Sequence, residues 1–284
     1  MKLVDMFCGV GGFSAGAREF AKPVLGVDND DVMVRLWAAN TKGKGQLAEL
    51  WRDHVELPRP TDLAQESVHI HISPPCTTLS RARRQKQDST CGVAHLRETL
   101  DFLSQSNYAS WSVETVSTPV VQELLSSFCE EHSEFKFAWT VVDAAEYGSP
   151  STRVRIIIGN PDLVLALRQI PVSRVSVADA FRRCGIGDLP ADYIKNNSKT
   201  RTRQPCVRHI SQPCHTQTAS HPLIWCTSEG QTVRCLNVQE TAIIMGFPLD
   251  WMLPTTSRAA IKAIGNAVPP PLAAAIMSAA KQCR

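Results

Sequence analysis

The chain has 284 residues, of which 43% are hydrophobic and 20% charged, enough to bury the core of one large domain or of a large domain carrying a small one. Thirty Lys and Arg against twenty-seven Asp and Glu give a formal net charge of +3, too little for total charge alone to argue for a polyanionic partner. Composition excludes disorder, no stretch reaches the roughly 18 consecutive apolar residues of a membrane span, and the first residues do not have the pattern of a secretory leader. The expectation is a soluble, non-secreted protein, cytoplasmic in a prokaryote or virus, or nuclear in a eukaryotic host.

Apolar runs and amphipathic stretches alternate along the chain. Residues 3–8 read as a buried strand, 13–21 as a helix, 24–28 as a second strand and 31–39 as a helix. Further strands are expected at 68–73, 110–116 and 135–143, with helices at 95–106 and 120–132 between them. Residues 153–159 follow a turn too short for a helical crossover, so they should pair with 135–143 as a hairpin. Such alternation implies an α/β fold with a mostly parallel, doubly covered sheet whose ligands bind beyond the carboxyl ends of the strands. From about residue 171 to 233 the chain is rich in Pro, Thr, Ser, Arg and Gln and loses clean periodicity. The expected organisation is therefore a catalytic and cofactor-binding domain at 1–170, a small irregular domain at 171–234, and a segment at 235–284 returning to the first. Asn237 and Glu240 form a variant capping box, and a final helix should follow the prolines at 271–281.

None of the ten cysteines has zinc-site spacing, and reduced thiols are the default without a secretory context. No metal is expected. His69 and His71 alternate on one strand face, where ordinary packing is favoured over ligation because no third ligand is evident. Two basic segments stand out: Arg81, Arg83, Arg84 and Lys86, and then Lys195, Lys199, Arg201, Arg203 and Arg208. Two phosphate-contacting surfaces or two solvated loops would both fit, and charge alone favours the loops.

Four segments can carry chemistry. DMFCGVGGF (5–13) is a strand, a glycine turn and a helix start, where Gly9, Gly11 and Gly12 let backbone approach a ligand. Its spacing is not GxGxxG, which disfavours a nicotinamide dehydrogenase. Asp28 ends the next strand, where a carboxylate can accept ribose hydroxyls. Pro74-Pro75-Cys76 follows a strand directly, so rigid prolines hold a thiol able to attack an electrophilic carbon. Glu114 ends an adjacent strand and could face the same pocket, and alternation puts Arg153 and Arg155 on one face.

Taken in order, these segments resemble the cytosine-C5 DNA methyltransferases over nearly the whole chain. DMFCGVGGF is similar to the family's first motif, PPC to its catalytic-cysteine motif, and ETV stands where the family has Glu-Asn-Val. STRVR stands for Gln-x-Arg-x-Arg, VRCLNVQETAIIMGFP resembles the motif after the target-recognition domain, and AIGNAVPPPLAAAI resembles the last motif. The departures are Thr115 for Asn, Ser151 for Gln and Met245 for Gln.

The resemblance implies a Rossmann-like S-adenosylmethionine-dependent methyltransferase fold with a small target-recognition domain. It implies methyl transfer to C5 of a flipped cytosine in double-stranded DNA, leaving S-adenosylhomocysteine, by a monomer. Cys76 would add to C6, Glu114 would act at N3, and Arg155 and Arg153 would hold the cytosine and support the site. The cofactor would lie against Phe7, Cys8, Gly9, Gly11 and Gly12, with Asp28 on the ribose, Asn29 and Pro74 beside the adenosyl group, and Asn266, Ala267 and Val268 closing the far wall. Gln46 takes the place of an acidic cofactor residue. Residues 77–94, with Arg81, Arg83 and Arg84, would close over the flipped base. Arg201, Arg203 and Arg208, within 190–234, would contact bases or phosphates. The rivals are a transfer-RNA methyltransferase of the same architecture, whose Cys-Phe-Thr segment is absent, and an inactive regulator, which would usually lack the cysteine or glutamate.

Overall fold

The computed structural model describes residues 1–53, 67–75, 90–197 and 206–283. The main sheet contains β1 (Lys2–Met6), β2 (Lys22–Asp28), β3 (Lys44–Leu47), β4 (Val68–Ile72), β5 (Trp111–Val116), β6 (Ala138–Asp143) and β7 (Val154–Gly159), in the order β3-β2-β1-β4-β5-β7-β6. The first five are parallel, and β7 runs antiparallel between β5 and β6. This is the expected α/β sheet with its hairpin. β3 is an addition: its four residues, Lys-Gly-Gln-Leu, carry no apolar period for sequence reading to find.

Helices cover both faces, so β4 and β5 are buried along their whole length. On one face Met6, Ile70, Ile72 and Val113 pack under Leu96, Leu100, Leu125 and Phe128 of α3 (Thr90–Gln105) and α4 (Pro119–Glu131). On the other, Leu3 and Ile157 meet Phe13, Leu163, Leu167, Leu272 and Ile276. His69 and His71 lie on this second face. Their ring nitrogens bond Ser110 Oγ at 2.8 Å and Ser112 Oγ at 2.8–2.9 Å, and Phe13 stacks on His71. Burial pushes the His71 imidazole well below its ordinary pKa, so it is neutral. Both histidines are packing groups, and no cluster of three or more His, Cys, Asp or Glu is placed to hold a metal among the described residues.

The helix ends follow local chemistry. α1 spans Gly12–Ala17, shorter than 13–21, and α2 spans Asp31–Thr41. The Asp30 carboxylate caps α2 by accepting the N–H groups of Val32 and Met33, a contact of about 1 kcal/mol. The capping box at Asn237 and Glu240 is present and opens α7 (Val238–Met245), which ends at Gly246 with φ 83°. α5 (Pro161–Gln169) and α6 (Val177–Arg183) precede the second sheet, and α8 (Ser257–Asn266) and α9 (Pro270–Gln282) end the chain. The stretch Ser257–Gln282 has the length and hydropathy of a membrane span. It is, however, two helices separated at Ala267–Pro269 and is mostly buried in this core.

The region read as irregular contains a four-stranded antiparallel sheet. Its strands are β8 (Tyr193–Lys195), β9 (Val207–His209), β10 (Ile224–Cys226) and β11 (Thr232–Cys235), in the order β11-β10-β8-β9. Strands of three or four residues are too short for periodicity to register. Trp225 is fully buried and packs edge-on against Phe181. Ile194, Leu223 and the α7 residues Ile243 and Ile244 complete this second core.

Candidate active site

A cavity of about 390 Å³ opens at the carboxyl ends of β1, β2, β4 and β5. The chain leaves β1 through Phe7 (φ 56°) and Gly9 (φ 50°), left-handed conformations that bend it sharply around the ligand space. Gly9 donates its N–H to Asp28 Oδ2 at 2.8 Å, and Asp30 N–H reaches Oδ1 at 3.0 Å. A Cβ at Gly9 would meet no atom within 4 Å, whereas one at Gly12 would lie 2.3 Å from the Val268 carbonyl oxygen. Gly12 therefore lets the start of α1 dock against the segment joining α8 to α9.

Phe7, Cys8, Gly9, Gly12, Asp28, Asn29, Pro74, Asn266, Ala267 and Val268 all line this cavity. Gly11 and Gln46 do not. Gly11 (φ 88°) faces the rings of Trp37 and Trp251, so its role is a turn under tight packing. Gln46 stands level with Val27 inside β3, and Glu49 and Leu50 just beyond that strand reach the wall instead. Sequence reading also passed over Asp5, His95 and Lys262, which line the cavity. The signal for Lys262 was its position four residues before Asn266 on α8, one helical turn away.

A buried acid and a half-buried one behave differently from surface carboxylates. Burial raises the Asp28 pKa against the backbone N–H bonds, led by those of Gly9 and Asp30, that lower it. Burial also pushes Asp5 up to about 7. Ser14 Oγ donates to Asp5 Oδ2 at 2.6 Å, Trp37 Nε1–H donates to Ser14 Oγ at 2.9 Å, and Asp5 Oδ1 has no hydrogen-bond partner. The Cys8 thiol is raised well above its ordinary value by burial and by the charges of Asp5 and Asp28, which keeps it protonated and inert.

At the far end of the cavity, Ile72 pairs with Val113, so Ser73-Pro74-Pro75 leaves β4 beside Glu114 of β5. Pro75 and Glu114 both line the wall. Cys76, Arg81, Arg83, Arg84, Arg201 and Arg203 lie outside the described residues. Arg155 pairs with Val116, which puts it diagonally across from Glu114 on the same sheet face. Its Nε is 2.7 Å from Glu114 Oε1, a close charge contact without hydrogen-bond alignment. Arg153 is buried, and its Nη1 donates to the Gln217 carbonyl at 3.3 Å. Neither arginine lines the cavity; Arg155 reaches it through Glu114. Arg208, a DNA-contact candidate in the sequence, instead directs Nη1 at Thr152 Oγ1 and at the carbonyls of Pro213 and Cys214.

A parallel-rich sheet with a reversed β7 and a glycine turn opposite an acid-ended β2 defines a Rossmann-like methyltransferase fold. The structure superimposes on S. pombe Dnmt2 methyltransferase with a TM-score of 0.70 at 15% identity, covering 100% of this chain and 99% of that one. It also superimposes on the Entamoeba histolytica methyltransferase EhMeth with a TM-score of 0.64 at 13% identity, covering 100% and 98%. In sequence, the chain is 28% identical to the type II methyltransferase M.HgiDI of Herpetosiphon aurantiacus, over 96% of this chain and 92% of the relative. The description C-5 cytosine-specific DNA methylase matches residues 1–161 and 169–282. The chain belongs to that family, whose members depend on S-adenosylmethionine.

Proposed function

We propose that this chain is a DNA (cytosine-5-)-methyltransferase acting as a monomer on double-stranded DNA. It would transfer the methyl group of S-adenosylmethionine to C5 of a flipped cytosine. The observation that carries the reading is a cavity that joins the glycine turn and Asp28 to Pro74, Pro75 and Glu114, at the strand end from which Cys76 follows.

The cavity suits the cofactor. Its volume falls within the range of small-molecule sites, roughly 300–1,000 Å³. Asp5, Asp28, Asp30 and Glu49 face it, an acidic surround for a molecule carrying a sulfonium and an ammonium. Lys262 offers a counter-charge for a carboxylate. Asp28, with one N–H on each oxygen, keeps acceptor capacity for ribose hydroxyls. When bound, S-adenosylmethionine supplies an electrophilic methyl group.

The remaining chemistry belongs to the chain. C5 of cytosine is a poor nucleophile until the Cys76 thiolate adds to C6 and makes the ring electron-rich. Glu114 would donate a hydrogen bond or a proton to N3 as that charge develops. Arg155, 2.7 Å from Glu114, keeps the carboxylate positioned and offers donors to the cytosine oxygen. Loss of the C5 proton and expulsion of the Cys76 thiolate restore the aromatic ring. Flipping the base costs roughly a few kcal/mol, which phosphate contacts from the basic segments would offset.

DNA containing 5-fluorocytosine tests this reading, because fluorine at C5 blocks the final elimination. A denaturation-resistant adduct is expected with the unmodified chain and none with Cys76→Ala. An adduct formed by Cys76→Ala would refute the nucleophile. Labelled methyl transfer to total tRNA but not to duplex DNA would favour the RNA-modifying rival. Cofactor binding with no transfer to either would favour an inactive regulator.

A further inference from the structure

Among the described residues, the second sheet is fastened to the main one at the arginine-bearing segment. Ser151 and Cys214 form a parallel bridge, with Cys214 N–H donating to the Pro150 carbonyl at 2.8 Å and Thr152 N–H to the Cys214 carbonyl at 2.9 Å. Thr216 Oγ1 donates to the Thr152 carbonyl at 2.6 Å. Arg208 Nη1, from β9, lies 3.3 Å from Thr152 Oγ1 and 3.1 Å from the carbonyls of Pro213 and Cys214. The next residue after Thr152, Arg153, donates in return to the Gln217 carbonyl. That loop is itself fixed, because the fully buried Gln217 side chain donates to the carbonyls of Thr218 and His221 and accepts the N–H of Leu223.

We propose that Arg208, Thr216 and Gln217 form a clasp that positions Arg153, and through the same backbone Arg155 and Glu114, for methyl transfer. Arg208 is then a positioning residue rather than a DNA contact. Geometry supports this role. Arg153 immediately follows the clasped Thr152, and Arg155 is two residues further along the strand that touches Glu114. Any shift of β9 relative to the main sheet is therefore delivered to the arginines through a few hydrogen bonds. Target recognition by the second sheet and chemistry in the first would share this joint.

The proposal rests on the methyltransferase reading above. Steady-state methylation of duplex DNA is measured for the unmodified chain, Arg208→Ala, Thr216→Val and each of these combined with Arg153→Ala. Melting temperature and cofactor binding confirm the fold of each variant. The clasp predicts a drop in kcat of about tenfold or more, the scale on which misplaced groups act. The KM for cofactor should not change, and no further drop should appear in the Arg153→Ala background, because the two act as one unit. The slope of log DNA affinity against log salt should stay constant, whereas removing a group that binds phosphate would flatten it by about 0.9. A flattened slope, an unchanged kcat or fully additive effects would overturn the proposal. If Arg208→Ala does not fold, Thr216→Val carries the same test with one bond removed. An unmodified chain that transfers no methyl group would refute the functional reading itself and the clasp's catalytic role with it.

Discussion

Asp5→Asn should change how the stability of this protein depends on pH. Asp5 is buried under α1 with its carboxyl raised from 3.8 to about 7, chiefly by burial. In the unfolded chain the same group ionises near its ordinary value. Between those two values the native state holds a proton that the unfolded state has released. Folding is therefore favoured at low pH, and that advantage disappears as pH rises toward about 7. Each unit corresponds to about 1.4 kcal/mol, so moving from pH 5 to pH 8 should cost the parent about 2–3 kcal/mol relative to a variant without this acid. Asparagine has nearly the same shape, and its carbonyl can still accept the Ser14 hydroxyl that now reaches Oδ2. Urea unfolding of both proteins at pH 5, 6, 7 and 8 gives the comparison directly, since the other titrating groups are common to both. The stability difference should swing toward Asp5→Asn as pH rises. Parallel curves for the two proteins would mean that Asp5 is ionised throughout, and the argument from burial would fail.

Other substitutions test separate parts of the molecule. Replacing Arg81, Arg83 and Arg84 with Ala should flatten the salt dependence of DNA binding by about 0.9 for every phosphate these side chains neutralise; an unchanged slope would leave the segment without a phosphate role. Arg201→Ala or Arg203→Ala should alter which cytosines are methylated in a random-sequence library if either side chain reads a base, at about 1–3 kcal/mol of discrimination. A uniform decrease across sites would instead indicate phosphate binding. Gly12→Ala should destabilise by about 1–3 kcal/mol and weaken cofactor binding, because its Cβ would lie 2.3 Å from a backbone oxygen that cannot rotate away. Calorimetric melting with and without S-adenosylmethionine would detect both effects. Ser151→Gln should destabilise by overpacking and Met245→Gln by burying a polar amide, while the double variant should cost less than the sum of the two; strict additivity would deny their contact.

Most of the main sheet was legible because its strands, β3 excepted, carry apolar runs long enough to read, and its central strands are buried on both faces. Part of the cavity wall was legible because a left-handed turn, a close backbone approach and a strand-end carboxylate leave residue-type traces at Gly9, Gly12 and Asp28. What escaped were features set by distance in space rather than along the chain. Glu49 and Lys262 look like ordinary surface charges until β3 and α8 are packed beside the glycine turn. Arg208 lies in a basic stretch, yet one of its acceptors, Thr152, is on a segment far earlier in the chain. The departures from the family pattern show the same limit. Read separately, Ser151 and Met245 are two missing glutamines near a catalytic segment. In space both are fully buried, and Ser151 Oγ lies 3.8 Å from Met245 Sδ. Ser151 is shorter than glutamine, and a single glutamine at 151 would set its amide against the Met245 thioether, a poor hydrogen-bond partner. Two changes that fit one buried contact are better explained as a repacked joint between the arginine segment and α7 than as two independent injuries. The Glu114–Arg155 contact remains in place beside that joint.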